Sequence, residues 1–292
     1  MEYGSRQYTL AGSASLHGIG LHTGQPVRIV FRPAPPSTGI VWRRADLPGA
    51  PVIAPEPGSK AGLLSRVVGT QRATTIGVDG VSVATVEHVM AALAGFGIDN
   101  AIVDVYGPET PFMDGSAAPF IALLEEIGTE TQAAPRAWRQ LRGPVVYEDE
   151  GAMCAAVPSP EVTFTYTFVS DHPALGTQFA EYGMGAGQSR ETYARRFAEQ
   201  IAPARTVGWL HEVESLQRRG LALGASWDCA VVVDEEKLLT PLRLPNEVAR
   251  HKLLDLMGDL YLLGPLQAKI FALRSGHRHH VAFARLIAEN LA

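Results

Sequence analysis

From residue 8 to residue 33 apolar and polar positions alternate, and glycine-rich turns interrupt the alternation in HGIGLHTGQPVRIVFRP, which is the pattern of paired strands. A loop containing Pro and Gly, APPSTG, leads into a further strand at IVWRRA. The period then changes. In GVSVATVEHVMAALAGFGIDNAIVDVYG a strand gives way to a helix, and the helix to a second strand. Thr85 is the expected N-cap, with the helix running to about Ala94 and Gly95 and Gly97 stopping it. A second helix is expected from about Ala117 to Ile127, again closed by a glycine. Periodicity is lost in GTETQAAPRAWRQLRGP, so a domain boundary is expected near Ala134. Beyond it strands are expected at GAMCAAVPSP, VTFTYTFVS, CAVVVD and QAKIFAL. Helices are expected at about 190–199, 210–219, 245–263 and 279–291. The fold class is α+β in two domains, residues 1–133 and 134–292.

Composition supports that division. A chain of 292 residues, 46% of them hydrophobic, is long enough for two cores. The 25 basic and 30 acidic residues leave a net charge of −5, and no Lys/Arg run exceeds two residues, so no nucleic-acid partner is expected. Cys154 and Cys229 have no metal-ligand spacing and cannot build a disulfide framework; they read as buried packing residues in a reducing compartment. The N-terminus carries no apolar export signal, and no stretch reaches about 18 apolar residues, so no transmembrane segment and a cytoplasmic location are expected.

The charged positions of one helix change the picture. In RHKLLDLMGDL, His251, Asp255 and Asp259 recur at i, i+4 and i+8 and lie along one face. Leu253, Leu254, Leu256 and Met257 are apolar, so little of this helix faces water, and its imidazole and carboxylates need partners. In TVEHVMAAL, Glu87 and His88 open the first helix without a second His at i+4, so any metal at His88 needs ligands from elsewhere. Two imidazoles and one carboxylate form a three-ligand set with an open fourth position, as in catalytic zinc sites. The alternative for His251 and Asp255 is a surface ion pair worth a few tenths of a kcal/mol. His277 follows a glycine, and Asp259 could orient it, although spacing alone does not pair them. His279 and His280 read as solvated residues after a turn, and His17, His22, His172 and His211 as structural or surface histidines.

Taken together, GIGLHTG, FRPAP, TVEHVMAALAGFGIDNA, MDGSAAPF, ARTVG, RRGLALGAS, RHKLLDLMGDLYLLG and SGH span nearly the whole chain. In order and spacing they resemble the UDP-3-O-acyl-N-acetylglucosamine deacetylases, zinc amidases of lipid A biosynthesis in Gram-negative bacteria. The resemblance implies Zn²⁺, with Fe²⁺ also tolerable, on His88, His251 and Asp255. It implies Glu87 as general base, His277 as oxyanion stabiliser and acid oriented by Asp259, and Thr206 beside the metal. Lys252 would meet the nucleotide diphosphate, and Val207 would contact substrate where many relatives have Phe. The implied fold is a two-domain sandwich, each domain a mixed sheet with two main helices packed between the sheets. Each domain carries a small insert, the second at about 208–233 walling an acyl-chain passage. The expected partner is UDP-3-O-acyl-N-acetylglucosamine, and a monomer is expected. Departures are Ala73, where Cys is frequent, and Arg278, His279 and His280, where relatives commonly have apolar residues and Asn.

Overall fold

The computed structural model describes residues 5–185 and 187–292. Its first large sheet runs in the order Ala14–Ile19, Pro26–Pro33, Ala101–Tyr106, Ile40–Arg44, Val52–Ile53. Only the pair Ile40–Arg44 with Ala101–Tyr106 is parallel. The second runs Val145–Asp149, Ala152–Pro158, Leu266–Leu273, Val162–Phe168, Gln178–Met184, with Arg139–Gln140 added beside Leu266–Leu273. The period of two seen in the sequence decides which face is covered. Along Leu266–Leu273, Leu266, Ala268, Ile270 and Ala272 are buried while Lys269 and Phe271 are exposed.

The helices are α1 (Glu87–Phe96), α2 (Ala118–Ile127), α3 (Arg190–Gln200), α4 (Leu210–Arg218), α5 (Glu247–Tyr261) and α6 (His277–Glu289). α5 lies across Val162–Phe168 and Gln178–Met184, α6 across Val145–Asp149 and Ala152–Pro158, and α2 against Ala14–Ile19. α1 packs on α5, α2 and α3, and a continuous apolar core joins both sheets through these helices. This is the α+β sandwich with helices between sheets. Cys154 and Cys229 are both buried free thiols.

Besides the small sheet that pairs Arg6–Leu10 with Thr129–Pro135, two small units stand outside the large sheets among the described residues. Val67–Gly69, Thr75–Val78 and Val81–Val83 form an antiparallel sheet. Thr206–Trp209 and Ala230–Val233 pair in parallel, with α4 between them in sequence. The second unit covers the segment expected to be an insert.

Several local expectations are corrected. Thr85 is not an N-cap: α1 starts at Glu87 after Val86, and no side chain caps it. The helix also runs through Gly95, whose lack of a side chain makes room for Phe197, since a Cβ there would lie 2.3 Å from its ring; the stop is Gly97, at φ 76°. α5 starts two residues later than expected, since Asn246 adopts a left-handed φ of 54°. The stretch without periodicity holds regular structure as well. Thr129–Pro135 is a strand that returns to pair with Arg6–Leu10, and Ala134 lies inside it. Finally, α6 begins at His277 itself, so His277 and His280 occupy its first turn.

Candidate metal centre and active-site cavity

Gly258 sets the architecture of the site. A Cβ on it would lie 2.0 Å from the backbone oxygen of Glu87, so only a glycine lets the backbones of α1 and α5 approach this closely. That contact brings the Glu87–His88 pair of α1 onto the His251–Asp255–Asp259 stripe of α5. The chain enters α1 through a strained residue. Thr85, β-branched and buried, sits at φ 58°, in a region such residues avoid. Its carbonyl accepts the Thr110 hydroxyl at 2.6 Å, and the N–H of Val86 bonds the carbonyl of Thr74 at 3.2 Å. Strain held in place by its surroundings is typical of functional positions.

His88, His251 and Asp255 converge. Nε2 of His251 lies 3.4 Å, and Nε2 of His88 3.6 Å, from Oδ1 of Asp255. The three ligand atoms are all within 4.8 Å of one another. His251 Nδ1 is 3.0 Å from the carbonyl of Ala204; it donates there, which leaves the Nε2 lone pair aimed at the centre. Burial pushes His251 down to about 3, so its imidazole is neutral and able to ligate. Oδ1 of Asp255 is buried with no hydrogen-bond partner among the described residues. Burial works against charge on this carboxyl, but the charges around it, the Lys252 ammonium at 2.9 Å among them, outweigh it and hold it well below the usual range. A buried, ionised oxygen with an unused lone pair, facing two imidazole nitrogens, fits a divalent cation.

On the other side of Asp255 stand Glu87 and His277. The Thr74 N–H donates to Glu87 Oε2 at 3.0 Å, while Glu87 Oε1 lies 3.8 Å from His277 Nε2. Burial raises Glu87 above its ordinary value. For His277 burial acts in the opposite sense from its neighbours. Asp259, then Glu87, overcome it and push the imidazole up to about 10. The Nδ1–H of His277 donates to Oδ2 of Asp259 at 2.8 Å, and the Thr74 hydroxyl donates to Oδ1 at 2.6 Å. The orienting pair that spacing could not establish is therefore present.

These groups open on one cavity of about 360 Å³, lined by Glu87, His88, Thr206, Val207, His251, Lys252, Asp255 and His277. Every residue named from the sequence lies on it except Asp259, which sits behind His277. The ammonium of Lys252 lines the cavity and donates to Asp255 Oδ2 at 2.9 Å. Thr206 is placed by its neighbour: Arg205 forms a buried ion pair with Glu247 at 2.9 Å, tying the start of Thr206–Trp209 to the start of α5. Val213, Leu216, Ala222, Ala225 and Ala230 give one arm of the cavity an apolar wall.

Two histidines escaped the sequence reading. His22 lines the cavity with both ring nitrogens buried and without hydrogen-bond partners among the described residues, and burial lowers its pKa. Nothing in GIGLHTG marks that position by periodicity. His280, read as solvated, is fully buried. Its signal was available: Phe283, Ala284 and Ile287 follow at i+3, i+4 and i+7, so His280 belongs to the buried face of α6.

Comparison with known proteins points to one family. A sequence profile described as UDP-3-O-acyl N-acetylglycosamine deacetylase matches residues 7–289. A protein of that name from Oleidesulfovibrio alaskensis is 42% identical over 287 residues, covering 97% of this chain and 89% of the relative. A Myxococcus xanthus relative is 44% identical over 274 residues (93% and 82%), and one from Chromobacterium violaceum 40% over 289 (97% and 90%); both carry the same name.

Proposed function

The chain belongs to the UDP-3-O-acyl-N-acetylglucosamine deacetylase family, and from that membership we propose how its residues hydrolyse the N-acetyl amide of UDP-3-O-acyl-N-acetylglucosamine in lipid A biosynthesis. The products are UDP-3-O-acyl-glucosamine and acetate. The observation that carries the assignment of roles is the convergence of His88 and His251 on the unpartnered Oδ1 of Asp255, with Glu87 and His277 facing the same space.

His88, His251 and Asp255 hold one divalent cation, Zn²⁺ or Fe²⁺, both of which suit this donor set. When bound, such a cation acidifies water and polarises the amide carbonyl. The chain's own groups move the protons. Glu87, fixed at Oε2 by Thr74, has Oε1 free to take a proton from the attacking water. Its burial lifts it toward the pH at which a carboxylate base works best. His277 carries the opposite charge. With Nδ1 committed to Asp259, its Nε2–H faces the cavity, where it stabilises the oxyanion and then protonates the leaving amine. Thr206 supports the tetrahedral intermediate from the cavity wall.

Lys252 offers a cation for the substrate's diphosphate, and Val207 with the apolar arm receives the acyl chain. Among the described residues no helix is long and apolar enough to cross a membrane. Within this reading the enzyme is a cytoplasmic monomer. The test is mass-spectrometric detection of products after incubation with the acylated UDP-sugar. Loss of one acetyl group is expected; an unchanged substrate, or cleavage of a sugar lacking the 3-O-acyl chain at the same rate, contradicts the reading.

A further inference from the structure

Behind His277 lies a second imidazole that the reaction does not use. His280 follows one turn along α6 and is completely buried. Its Nδ1 lies 2.8 Å from Oδ2 of Asp259, the same oxygen that accepts the Nδ1–H of His277 at 2.8 Å. Its Nε2 lies 2.9 Å from the hydroxyl of Ser275, and the carbonyl of Ser275 accepts the phenol of Tyr166. Burial lowers His280 below its ordinary value, so the ring is neutral. One tautomer satisfies both contacts: Nδ1–H donates to Asp259, and Nε2 accepts from Ser275.

Asp259 is thereby held from three sides, by Thr74 at Oδ1 and by two imidazoles at Oδ2. Resting on the deacetylase reading, we propose that His280 is a positioning residue for this reaction: it locks the Asp259 carboxylate in the orientation that aims His277 at Glu87 and the metal ligands. Two anchors, Thr74 and His277 itself, would leave the carboxylate able to turn about its Cβ–Cγ bond, and His277 would turn with it. With His280 the Asp259 rotamer is fixed by a group that does not face the cavity, so it stays fixed while His277 exchanges protons. Residues that orient a catalytic imidazole from behind typically contribute roughly 10- to 100-fold in activity.

The alternative is that His280 only fills space in the core. Steady-state kinetics and metal content of His280→Phe, His280→Asn and Ser275→Ala, each also in an Asp259→Asn background, separate the two. If His280 positions Asp259, His280→Phe loses roughly 10- to 100-fold in kcat, with KM and bound metal little changed. Asn retains an N–H that can reach Asp259, so His280→Asn recovers most of that loss. In the Asp259→Asn background His280→Phe adds little further loss, because its route of action is gone. Ser275→Ala loses several-fold in kcat, and nothing more in that background. This second pair keeps the test decisive if the Phe variant does not fold. A normal kcat in His280→Phe, an Asn variant as poor as Phe, or losses that multiply fully with Asp259→Asn overturn the proposal. An inactive wild-type enzyme would instead count against the deacetylase reading.

Discussion

Replacing Gly258 with alanine sets two effects of opposite sign against each other. Helix propensity alone favours Ala over Gly by about 1 kcal/mol. The structure predicts the reverse, because the new methyl would stand 2.0 Å from the carbonyl oxygen of Glu87. That oxygen is backbone, so no rotamer change relieves the clash. Restoring an ordinary contact of roughly 3.5 Å requires α1 and α5 to part by more than 1 Å at the point where they deliver the site. Overpacking of this kind costs about 1–3 kcal/mol, and two buried central helices belong at the upper end. The net destabilisation, about 2 kcal/mol, lowers Tm by roughly 4 °C. The shift also carries Glu87 and His88 away from Asp255 and His277, and a misplacement of this size costs on the order of 10²-fold in rate. Thermal unfolding and kcat/KM measured on one preparation check both numbers. A variant as stable as wild type or more stable, with normal turnover, refutes the claim that this contact assembles the site.

The remaining predictions concern the groups themselves. Glu87→Gln and His277→Ala each lower kcat by roughly 10²–10³-fold or more while metal binding persists; near-normal turnover in either removes its assigned role. In the metal-free protein Asp259 and Glu87, acting against burial, raise His277 from 6.5 to about 10. Its charged form thus adds stability that is complete below pH 6.5 and is lost as pH rises through about 10. The Tm gap between metal-free wild type and His277→Gln is therefore expected to shrink over that window, and a constant or widening gap contradicts the assignment. Arg205→Met leaves the carboxylate of Glu247 buried without its ion partner and is expected to cost about 3–5 kcal/mol in a denaturant titration; a change under about 1 kcal/mol contradicts it.

The legible parts of this fold were those with a period. Strands such as Ala152–Pro158 and Leu266–Leu273 alternate cleanly, and α5 announces itself by a stripe in which polar residues displace leucine. The boundaries were harder. Gly95 looks like a helix stop until Phe197 is seen lying over it, and Thr85 looks like a cap until its carbonyl is seen held by Thr110. Both depend on residues remote in sequence. Thr129–Pro135 was invisible because its partner strand, Arg6–Leu10, lies over a hundred residues away, and its exposed positions leave no alternation to read. The same limit applied to the site. His251, Asp255 and Asp259 share a helix face and could be grouped by spacing. Their contacts with His88, Glu87 and His277 come from helix packing: ligand chemistry could suggest His88 as a third ligand, but spacing could not pair Asp259 with His277, and the roles of Glu87 and His277 came only as what the family resemblance implies. The polar neighbours Arg278 and His279 make His280 read as solvated, although its burial follows from the apolar residues one and two turns on.

The central claim is that His88, His251 and Asp255 hold the cation on which deacetylation depends. Its most direct measurement is turnover of UDP-3-O-acyl-N-acetylglucosamine by protein stripped with a chelator and then titrated with Zn²⁺, with Asp255→Ala titrated in parallel. The expected result is no activity after stripping, full recovery at about one equivalent in the wild type, and neither tight binding nor recovery in the variant. Full activity in the stripped protein, or in Asp255→Ala, would contradict it.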